Sequence, residues 1–332
     1  MGKPIALLIG VVENARKDWE ALEDVAELRE LTEGTREQFF QDCDNGVYDG
    51  VLAIYRTFYS ISITGRLDAE FVSHLPSSVK FICHNGAGYD QIDIPPCTSR
   101  GITVSHTPKA VDAATADTAL LLLLSALRHA WIPSSNLRAG KWRGDDFPLG
   151  HDPEGKVLGI LGMGGIGTAT ALRAKAFEME IVYHNRRPVA EGANLAKAEY
   201  VPDLDEFWRR CDVVSVHLPL NSGTRHFIGR EELRKMKDGV VIVNTARGPV
   251  IDEEALVEAL ESGKVGSVGL DVFEREPEVH PGLVGNKRVA LLPHIGTSTW
   301  ETQYKMEKLV VDNVRSAVTE GRLLTVVPEQ RE

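Results

Sequence analysis

Three residues with catalytic chemistry each follow an apolar run of this 332-residue chain. Arg247 comes after VVIVNT, Glu276 lies in the loop after SVGLDV, and His294 follows RVALLP. A histidine can donate a proton to a developing alkoxide, and a neighbouring carboxylate favours the protonated imidazole. An arginine can hold a substrate carboxylate and polarise the carbonyl beside it. Together the three residue types indicate reduction of a carbonyl by hydride transfer.

Each of these residues also has an ordinary alternative. Arg247 could cap a helix, Glu276 could be a solvated loop acid, and His294 could be a core histidine. Their shared position favours catalysis, because ligands of open α/β sheets bind beyond the carboxyl ends of the strands. We therefore expect the three side chains to converge where a nicotinamide ring would bind.

A glycine-rich turn is the candidate cofactor site. The run VLGILGMGGIG (157–167) places an apolar strand before Gly162-x-Gly164-x-x-Gly167, and a helical pattern follows at once. In the dinucleotide-binding fingerprint, these glycines allow a tight turn, close approach of a pyrophosphate and close helix–strand packing. The helix N-terminus offers free N–H groups to the phosphates. A lone glycine pattern would be weak, but this strand–turn–helix context predicts dinucleotide binding.

The next strand ends without the acidic residue that usually binds the ribose of NAD. In YHNRR (183–187), Asn185 stands in place of that acid, and Arg186 and Arg187 follow. An acid would repel a 2′-phosphate, whereas arginines could form charge-assisted bonds with it. Two solvated loop arginines are the alternative. The stretch favours NADP as the cofactor, with NAD as the weaker candidate.

Short apolar runs alternate with helical segments, which indicates two α/β domains with parallel sheets. Continuous apolar strands are typical of sheets covered on both faces. We predict strands at 5–10, 50–55, 79–84 and 101–106, with a helix over 15–28. A long apolar helix over 109–130 is followed by Pro133 and a loop that interrupt the pattern. A second alternating series begins at Val157 and ends in a helix at about 298–319, which could pack back on the first domain.

Composition and charge disfavour several classes of protein. The net charge of −11 argues against binding to a nucleic-acid backbone. The four cysteines form neither a CxxC pair nor a zinc-site spacing, so no metal is predicted and buried thiols are expected. The apolar run at 119–127 is too short for a membrane span, and the opening residues lack the apolar length of a secretory signal. We expect a cytoplasmic protein.

The chain resembles the D-isomer-specific 2-hydroxyacid dehydrogenases over nearly its whole length. The resemblance rests on GILGMGGIG, VVSVHLPLNSGTRHFIG, MKDGVVIVNTARGPVIDEEAL, GLDVFEREP and LLPHIGTST. It implies that Arg247 binds the substrate carboxylate and 2-oxo group, that His294 is the acid/base, and that Glu276 pairs with His294. The glutamate departs from the family's formate dehydrogenases, which place glutamine in the matching role.

The resemblance also implies a domain plan and ligand contacts. A flavodoxin-like substrate domain would comprise 1–107 plus 300–332, and a Rossmann NADP-binding domain 108–299. The stretch HNGAGYDQID (84–93) looks like the substrate loop, whose N–H groups near Ala87 and Gly88 would grip the carboxylate. The expected cofactor contacts are Thr115, Gly162, Met163, Gly164, Gly165, Ile166, Gly167, Asn185, Arg186, Arg187, Leu218, Pro219, Thr224, Thr245, Ala246, Arg247, Asp271, His294 and Gly296.

Two further residues are candidates for the substrate pocket. Arg56 follows a strand end together with Phe58 and Tyr59, and all three could line the pocket. Trp142 resembles an aromatic residue that reaches the substrate site of a neighbouring subunit; a tryptophan packed on its own domain is the alternative. The resemblance implies a homodimer, with the helix near 109–130 forming much of its interface.

The favoured function is NADPH-dependent reduction of glyoxylate and hydroxypyruvate to glycolate and D-glycerate. The stretches HNRR and FICHNGAGYDQID resemble that group of reductases. A D-mandelate-type or broad D-2-hydroxyacid dehydrogenase is a second hypothesis, because FICHNGAGYDQID also resembles that group. A dinucleotide-sensing, corepressor-like binding protein is a third, although such relatives look NAD-like at the position of Asn185.

Overall fold

The computed structural model describes residues 2–145 and 147–331. These residues divide into two compact units, 2–111 with 298–331 and 112–297. The divisions lie a few residues from the predicted boundaries at 107/108 and 299/300. The second unit begins where a long helix begins, at Asp112.

The first unit is built on a five-stranded sheet. Its strands are β1 (Ile5–Ile9), β2 (Glu27–Leu31), β3 (Val51–Arg56), β4 (Phe81–His84) and β5 (Thr103–Ser105). They are all parallel, in the order β2-β1-β3-β4-β5, which is the flavodoxin-like order. The helices are α1 (Arg16–Glu20), α2 (Arg36–Asp44), α3 (Ile61–Thr64), α4 (Ala69–His74), α5 (Ile94–Ser99) and, from the end of the chain, α14 (Trp300–Glu320).

Both faces of this first sheet are covered, as its apolar strands require. One face packs with α2, α4 and α5 in a core that includes Phe39 and Phe71. The other face packs against α14, whose Val310 and Val314 are buried with Leu8 of β1. The segment after α14 returns to the sheet edge, where Val326 forms an antiparallel bridge with Ser105. The C-terminal helix therefore completes the first unit, as the sequence suggested.

The second unit is built on a seven-stranded parallel sheet. Its strands are β6 (Val157–Leu161), β7 (Glu180–His184), β8 (Glu199–Tyr200), β9 (Val213–Val216), β10 (Val240–Asn244), β11 (Val265–Leu270) and β12 (Val289–Leu291). The strand order is β12-β11-β10-β9-β6-β7-β8. The chain adds strands outward on one side of β6 and then, from β9, on the other side, as in a Rossmann sheet. The helices are α6 (Asp112–Arg128), α7 (Trp131–Arg138), α8 (Gly165–Ala174), α9 (Ala190–Ala196), α10 (Leu204–Arg210), α11 (Arg230–Lys235), α12 (Glu253–Glu261) and α13 (Pro281–Val284).

Two apolar cores lie on the two faces of the second sheet. One joins α6 and α8 to residues of β6, β7 and β10. The other joins α10, α11 and α12 to the opposite face. The predicted fold class, two doubly wound parallel-sheet domains, is confirmed. In the described part of the chain, no helix is long and apolar enough to cross a membrane, and all four cysteines are buried and free of disulfides.

One prediction about an element was wrong. The predicted helix over 15–28 is only α1 and a short 3-10 helix (Ala21–Asp24), and β2 begins at Glu27. This edge strand leaves Glu27 and Glu30 exposed, so it lacks the apolar run that marks a central strand. The interruption predicted near Pro133 is observed, because α6 ends at Arg128 and α7, with Pro133 in its first turn, begins at Trp131.

Candidate active site

His294 and Glu276 form a hydrogen-bonded pair in the second unit. The imidazole Nδ1–H donates to the Glu276 Oε2 at 2.7 Å, so a proton transfer to substrate would use the other ring nitrogen, Nε2. Glu276 Oε1 accepts from the backbone N–H of Phe273 at 2.9 Å. Burial raises the pKa of the Glu276 carboxyl, but the bond from His294 and the nearby positive charges outweigh it and lower the pKa overall. The carboxylate is thus held charged against the imidazole.

The backbone of His294 is held in an unusual conformation. Its φ of +55° is in the left-handed region, which is uncommon for a residue with a side chain. The His294 N–H donates to the carbonyl oxygen of Asp271 at 2.7 Å. The Asp271 carboxylate accepts from the next two N–H groups, those of Ile295 at 2.7 Å and Gly296 at 2.8 Å. Three hydrogen bonds to one residue fix the direction of the histidine.

Asp271 was expected to line the cofactor, and in the structure its carboxylate binds the backbone N–H groups of Ile295 and Gly296. The side chain is 1% exposed, and burial raises its pKa despite the two backbone donors. A Cβ at Gly296 would lie 3.0 Å from Asp271 Oδ2, so a side chain there would crowd the carboxylate. Contact of Asp271 and Gly296 with the cofactor stays a prediction.

Arg247 lies in the turn after β10, close enough to Glu276 to lower the pKa of that carboxyl. The turn is fastened by the buried side chain of Asn244, the last residue of the strand. Asn244 Oδ1 accepts from the Ala246 N–H and its Nδ2 donates to the Arg247 carbonyl oxygen, both at 2.9 Å. The structure therefore brings together the three predicted catalytic residues at the carboxyl ends of β10, β11 and β12.

The glycine turn has the geometry of a phosphate site. In the residues that the structure describes, no acceptor meets the N–H groups of Gly164, Gly165 and Ile166, at the start of α8. A Cβ at Gly167 would clash with the Gly162 carbonyl, and one at Gly165 with the Asp112 carboxylate. The turn lies beside the β6–β9 switch in strand order, where dinucleotides bind. The residues present fit a bound dinucleotide.

Asn185 makes a contact that sequence alone did not suggest. Its Oδ1 accepts from the Met163 N–H of the glycine turn at 2.7 Å, and Tyr200 Oη donates to its carbonyl oxygen. The side chain thus ties the end of β7 to the phosphate turn. Arg186 and Arg187 are exposed, and neither forms an ion pair with any side chain that the structure describes. Both guanidinium groups are therefore available to an anion.

The remaining predicted cofactor positions lie in the same unit. Thr245 Oγ1 is buried without a partner in the described structure, and such a hydroxyl could serve a ligand. Thr224 Oγ1 bonds its own loop, by donating to the Pro219 carbonyl oxygen at 2.6 Å. Thr115 is buried, Ile166, Leu218 and Ala246 are half-buried, and Pro219 is exposed. Their cofactor contacts stay predictions.

The predicted substrate loop lies in the first unit, directly after β4. Ala87 and Gly88 are half-buried, and no acceptor in the described structure meets their N–H groups. Arg56, predicted as a substrate ligand, is fully buried. It donates to His84 Nδ1 at 3.0 Å and to Gln91 Oε1 at 2.6 Å. The structure therefore shows the guanidinium of Arg56 bonded to the side chains of His84 and Gln91, and its contact with substrate stays a prediction.

Trp142, in the second unit, is 71% exposed. The alternative hypothesis, a tryptophan packed on its own domain, would require a buried side chain. The reach of Trp142 toward a neighbouring subunit stays a prediction.

Three comparisons with known proteins agree with this site. Residues 120–296 match the family model of the D-isomer specific 2-hydroxyacid dehydrogenase NAD-binding domain. The 4-methyl-2-oxopentanoate reductase A of Aspergillus oryzae is 57% identical over 99% of both chains. A crystal structure of a glyoxylate reductase from Paecilomyes thermophila is 57% identical over the full length of both chains, with a TM-score of 0.97. An NADPH-dependent glyoxylate/hydroxypyruvate reductase from Sinorhizobium meliloti, in complex with NADP and malonate, is 31% identical over 99% of this chain and 98% of its own, with a TM-score of 0.86.

This protein belongs to the D-isomer-specific 2-hydroxyacid dehydrogenase family, and the predicted resemblance is confirmed. Within that family it falls with the glyoxylate reductase group, whose members reduce 2-oxo acids. The 112–297 unit is an NAD(P)-binding domain.

Proposed function

We propose that the protein reduces glyoxylate and hydroxypyruvate to glycolate and D-glycerate with NADPH. The observation that carries the proposal is the His294–Glu276 pair at 2.7 Å with Arg247 nearby, at the strand ends of a dinucleotide-binding sheet. When bound, the reduced nicotinamide supplies the hydride for C2 of the substrate. His294 gives the proton to the 2-oxo oxygen, Glu276 stabilises its imidazolium before transfer, and Arg247 holds the substrate carboxylate.

A second substrate class has its own support. The Aspergillus oryzae relative at 57% identity is a 4-methyl-2-oxopentanoate reductase, so reduction of branched 2-oxo acids is the runner-up. A broad or D-mandelate-type activity is included with it. The corepressor-like alternative predicts no turnover with any 2-oxo acid.

Steady-state rates will separate these candidates. NADH and NADPH are each assayed with glyoxylate, hydroxypyruvate, pyruvate, benzoylformate and 4-methyl-2-oxopentanoate. We expect the highest kcat/KM with NADPH and the two small acids, and His294→Ala to lose turnover by about a hundredfold or more while retaining cofactor binding. A preference for 4-methyl-2-oxopentanoate would instead support reduction of branched 2-oxo acids as the function. Undiminished activity of His294→Ala would overturn the assignment of the proton donor.

We further propose that Arg186 and Arg187 select NADPH by binding its 2′-phosphate. Support comes from their exposure, from the lack of a described acidic partner, and from Asn185, which adds no negative charge at this strand end. Replacing both arginines with alanine should raise the KM for NADPH by roughly tenfold to a hundredfold and leave the KM for NADH within about twofold. Arg143→Ala, at a solvated loop of the same unit, is the matched control. An unchanged KM for NADPH would show that the stretch is only a loop.

We also propose that the protein is a homodimer, in which Trp142 would reach the partner's substrate site, and that it is located in the cytoplasm. Light scattering on the purified protein measures the first.

A further inference from the structure

Three successive carbonyl groups of the loop after β4 are each held by one donor. The Gly86 oxygen accepts from the Thr107 N–H at 2.9 Å. The Ala87 oxygen accepts from His106 Nδ1 at 2.9 Å, and the Gly88 oxygen accepts from His84 Nε2 at 3.0 Å. Both imidazoles are buried. Because each of these three carbonyl oxygens accepts a hydrogen bond, the peptide groups of the loop have little freedom to rotate.

Fixing these carbonyls also fixes the N–H groups that follow them. A trans peptide group is planar, so the C=O bond of one residue and the N–H bond of the next lie in the same plane and point in opposite directions. Thr107 thereby sets the N–H of Ala87, His106 sets that of Gly88, and His84 sets that of the residue after it. None of these N–H groups has an acceptor within the described part of the chain. Successive free N–H groups form a cradle for an anion.

The hydrogen-bond partners indicate which nitrogen of each imidazole carries the proton. Arg56 can only donate, so His84 Nδ1 accepts from it and His84 Nε2 must hold the hydrogen that meets Gly88. His106 Nδ1 faces a carbonyl and therefore carries its proton, while its buried Nε2 has no described partner. Leaving a buried nitrogen unpaired is costly, which indicates that the bond to Ala87 has a use.

Gly86 supplies an independent observation on the same bond. A Cβ at this position would lie 2.5 Å from His84 Nε2 and 3.0 Å from the Gly88 oxygen. A side chain here would therefore force the imidazole and the carbonyl apart. The φ of Gly86 lies outside the left-handed region, so close approach of the imidazole is the reason for its small size.

We propose that His106 and His84 are positioning residues that orient the Gly88 N–H and its neighbour to bind the carboxylate of the 2-oxo acid, with Arg56 fixing the proton on His84. The proposal rests on the proposed function, because it takes the loop as the carboxylate-binding loop of a 2-oxo acid reductase. Neither histidine transfers a proton to the substrate in this arrangement.

The test measures binding of oxamate, a 2-oxo acid analogue, to the NADPH-loaded enzyme. His106→Phe keeps an aromatic ring against Tyr89 and removes the donor, while His84→Asn can still accept from Arg56 but is too short to reach Gly88. Each variant should raise the Kd for oxamate and the KM for glyoxylate about tenfold and leave the Kd for NADPH within about twofold. His106→Asn, whose amide can donate in place of Nδ1, should recover most of the affinity.

Tyr55→Phe is the matched control, because it removes a buried hydroxyl without a described partner elsewhere in the same unit. Gly86→Ala disturbs the bond between His84 and Gly88 from the loop itself, without changing either histidine. It should weaken oxamate as much as His84→Asn does, and the two changes combined should cost little more than either alone.

Wild-type oxamate affinity in folded His106→Phe and Gly86→Ala enzymes would overturn the proposal. A parallel loss of NADPH affinity would also overturn it, because it would indicate general damage to the protein. The proposed function can fail separately. If the wild-type enzyme binds oxamate in a His106-dependent way but reduces none of the 2-oxo acids, the reductase function is wrong, while the carboxylate-binding role of the loop is supported.

Discussion

Two carboxyl groups beside His294 differ in charge behaviour because their surroundings differ. Asp271 is fully buried and accepts only from backbone N–H groups, and its pKa is raised by burial. Glu276 is one-third exposed and faces the imidazole, and its pKa is lowered despite burial. One carboxyl group thus shapes the backbone turn, and the other supplies negative charge to the catalytic histidine.

Replacing Glu276 with glutamine tests that division through pH. The pKa of Glu276 in the folded protein lies below its ordinary value of 4.5, so its charge stabilises the fold above that pH. The stabilisation is lost as the pH falls below about 4.5 and through the lower folded value. Urea midpoints of wild type and Glu276→Gln should therefore differ at pH 7 and converge as the pH falls toward 3. A difference that is constant over this range would contradict the assignment.

At the scale of elements, strand ends carry the chemistry and short side chains hold the turns that follow them. Asn244 is the best example, because its amide bonds the next turn at both an N–H and a carbonyl oxygen. It stands directly before the turn that bears Arg247, and it is 1% exposed. The arrangement makes the direction of the arginine depend on a residue that touches no substrate.

Asn244→Ala should therefore impair the enzyme through Arg247. We expect a loss of about 1–3 kcal/mol in the free energy of unfolding, because two partly buried backbone groups lose their partners. The KM for the 2-oxo acid should rise more than the KM for NADPH, since the arginine holds the substrate carboxylate. Ser267→Ala, a buried strand residue of the neighbouring β11, is a control for stability alone. Equal increases in the two KM values would argue against a role in placing Arg247.

The sequence predicted the elements that have a strong physical signature and missed the others. Central strands buried on both faces are continuous apolar runs, so β1, β3, β4 and β6 were predicted near their observed positions. The edge strand β2 and the two-residue β8 are polar or too short to show a period. The catalytic residues could be predicted because they follow such strands.

The supporting residues of the site could not be predicted in the same way. Asn244 closes its own strand and looks like any turn residue. His84 and His106 belong to strand-like runs that gave no hint of bonds to loop carbonyls. The bonds of Arg56 to His84 and Gln91 could not be predicted either, because the direction of a side chain is a tertiary property. Contacts between segments distant in sequence leave no local pattern.

At the scale of the whole molecule, the two units differ in how the chain builds them. Residues 112–297 form the second unit without interruption, and both of its apolar cores lie within that range. The first unit needs two separate segments. Glu307 of α14 accepts from the backbone N–H groups of Glu13, Asn14 and Ala15, at 3.2, 2.6 and 2.6 Å.

Expressed fragments should show this difference. The 112–297 fragment should unfold cooperatively on heating and bind NADPH, because it contains its complete cores and the glycine turn. The 2–111 fragment should aggregate or lack a cooperative transition, since the sheet face that packs on Val310 and Val314 would be exposed. Calorimetry and light scattering measure both. A cooperative, monomeric 2–111 fragment would show that α14 is dispensable for that unit.

The late arrival of α14 also sets the order of events during synthesis. The ribosome delivers β1 to β5 first, yet the helix that covers one face of their sheet emerges only after residues 112–297. At ~5–20 residues per second, the wait is on the order of ten to forty seconds. During that time the second unit can fold completely while the first, although older, still displays apolar side chains. We therefore expect the first unit to be the part of the nascent chain that most needs a chaperone, until α14 emerges from the exit tunnel and covers its sheet.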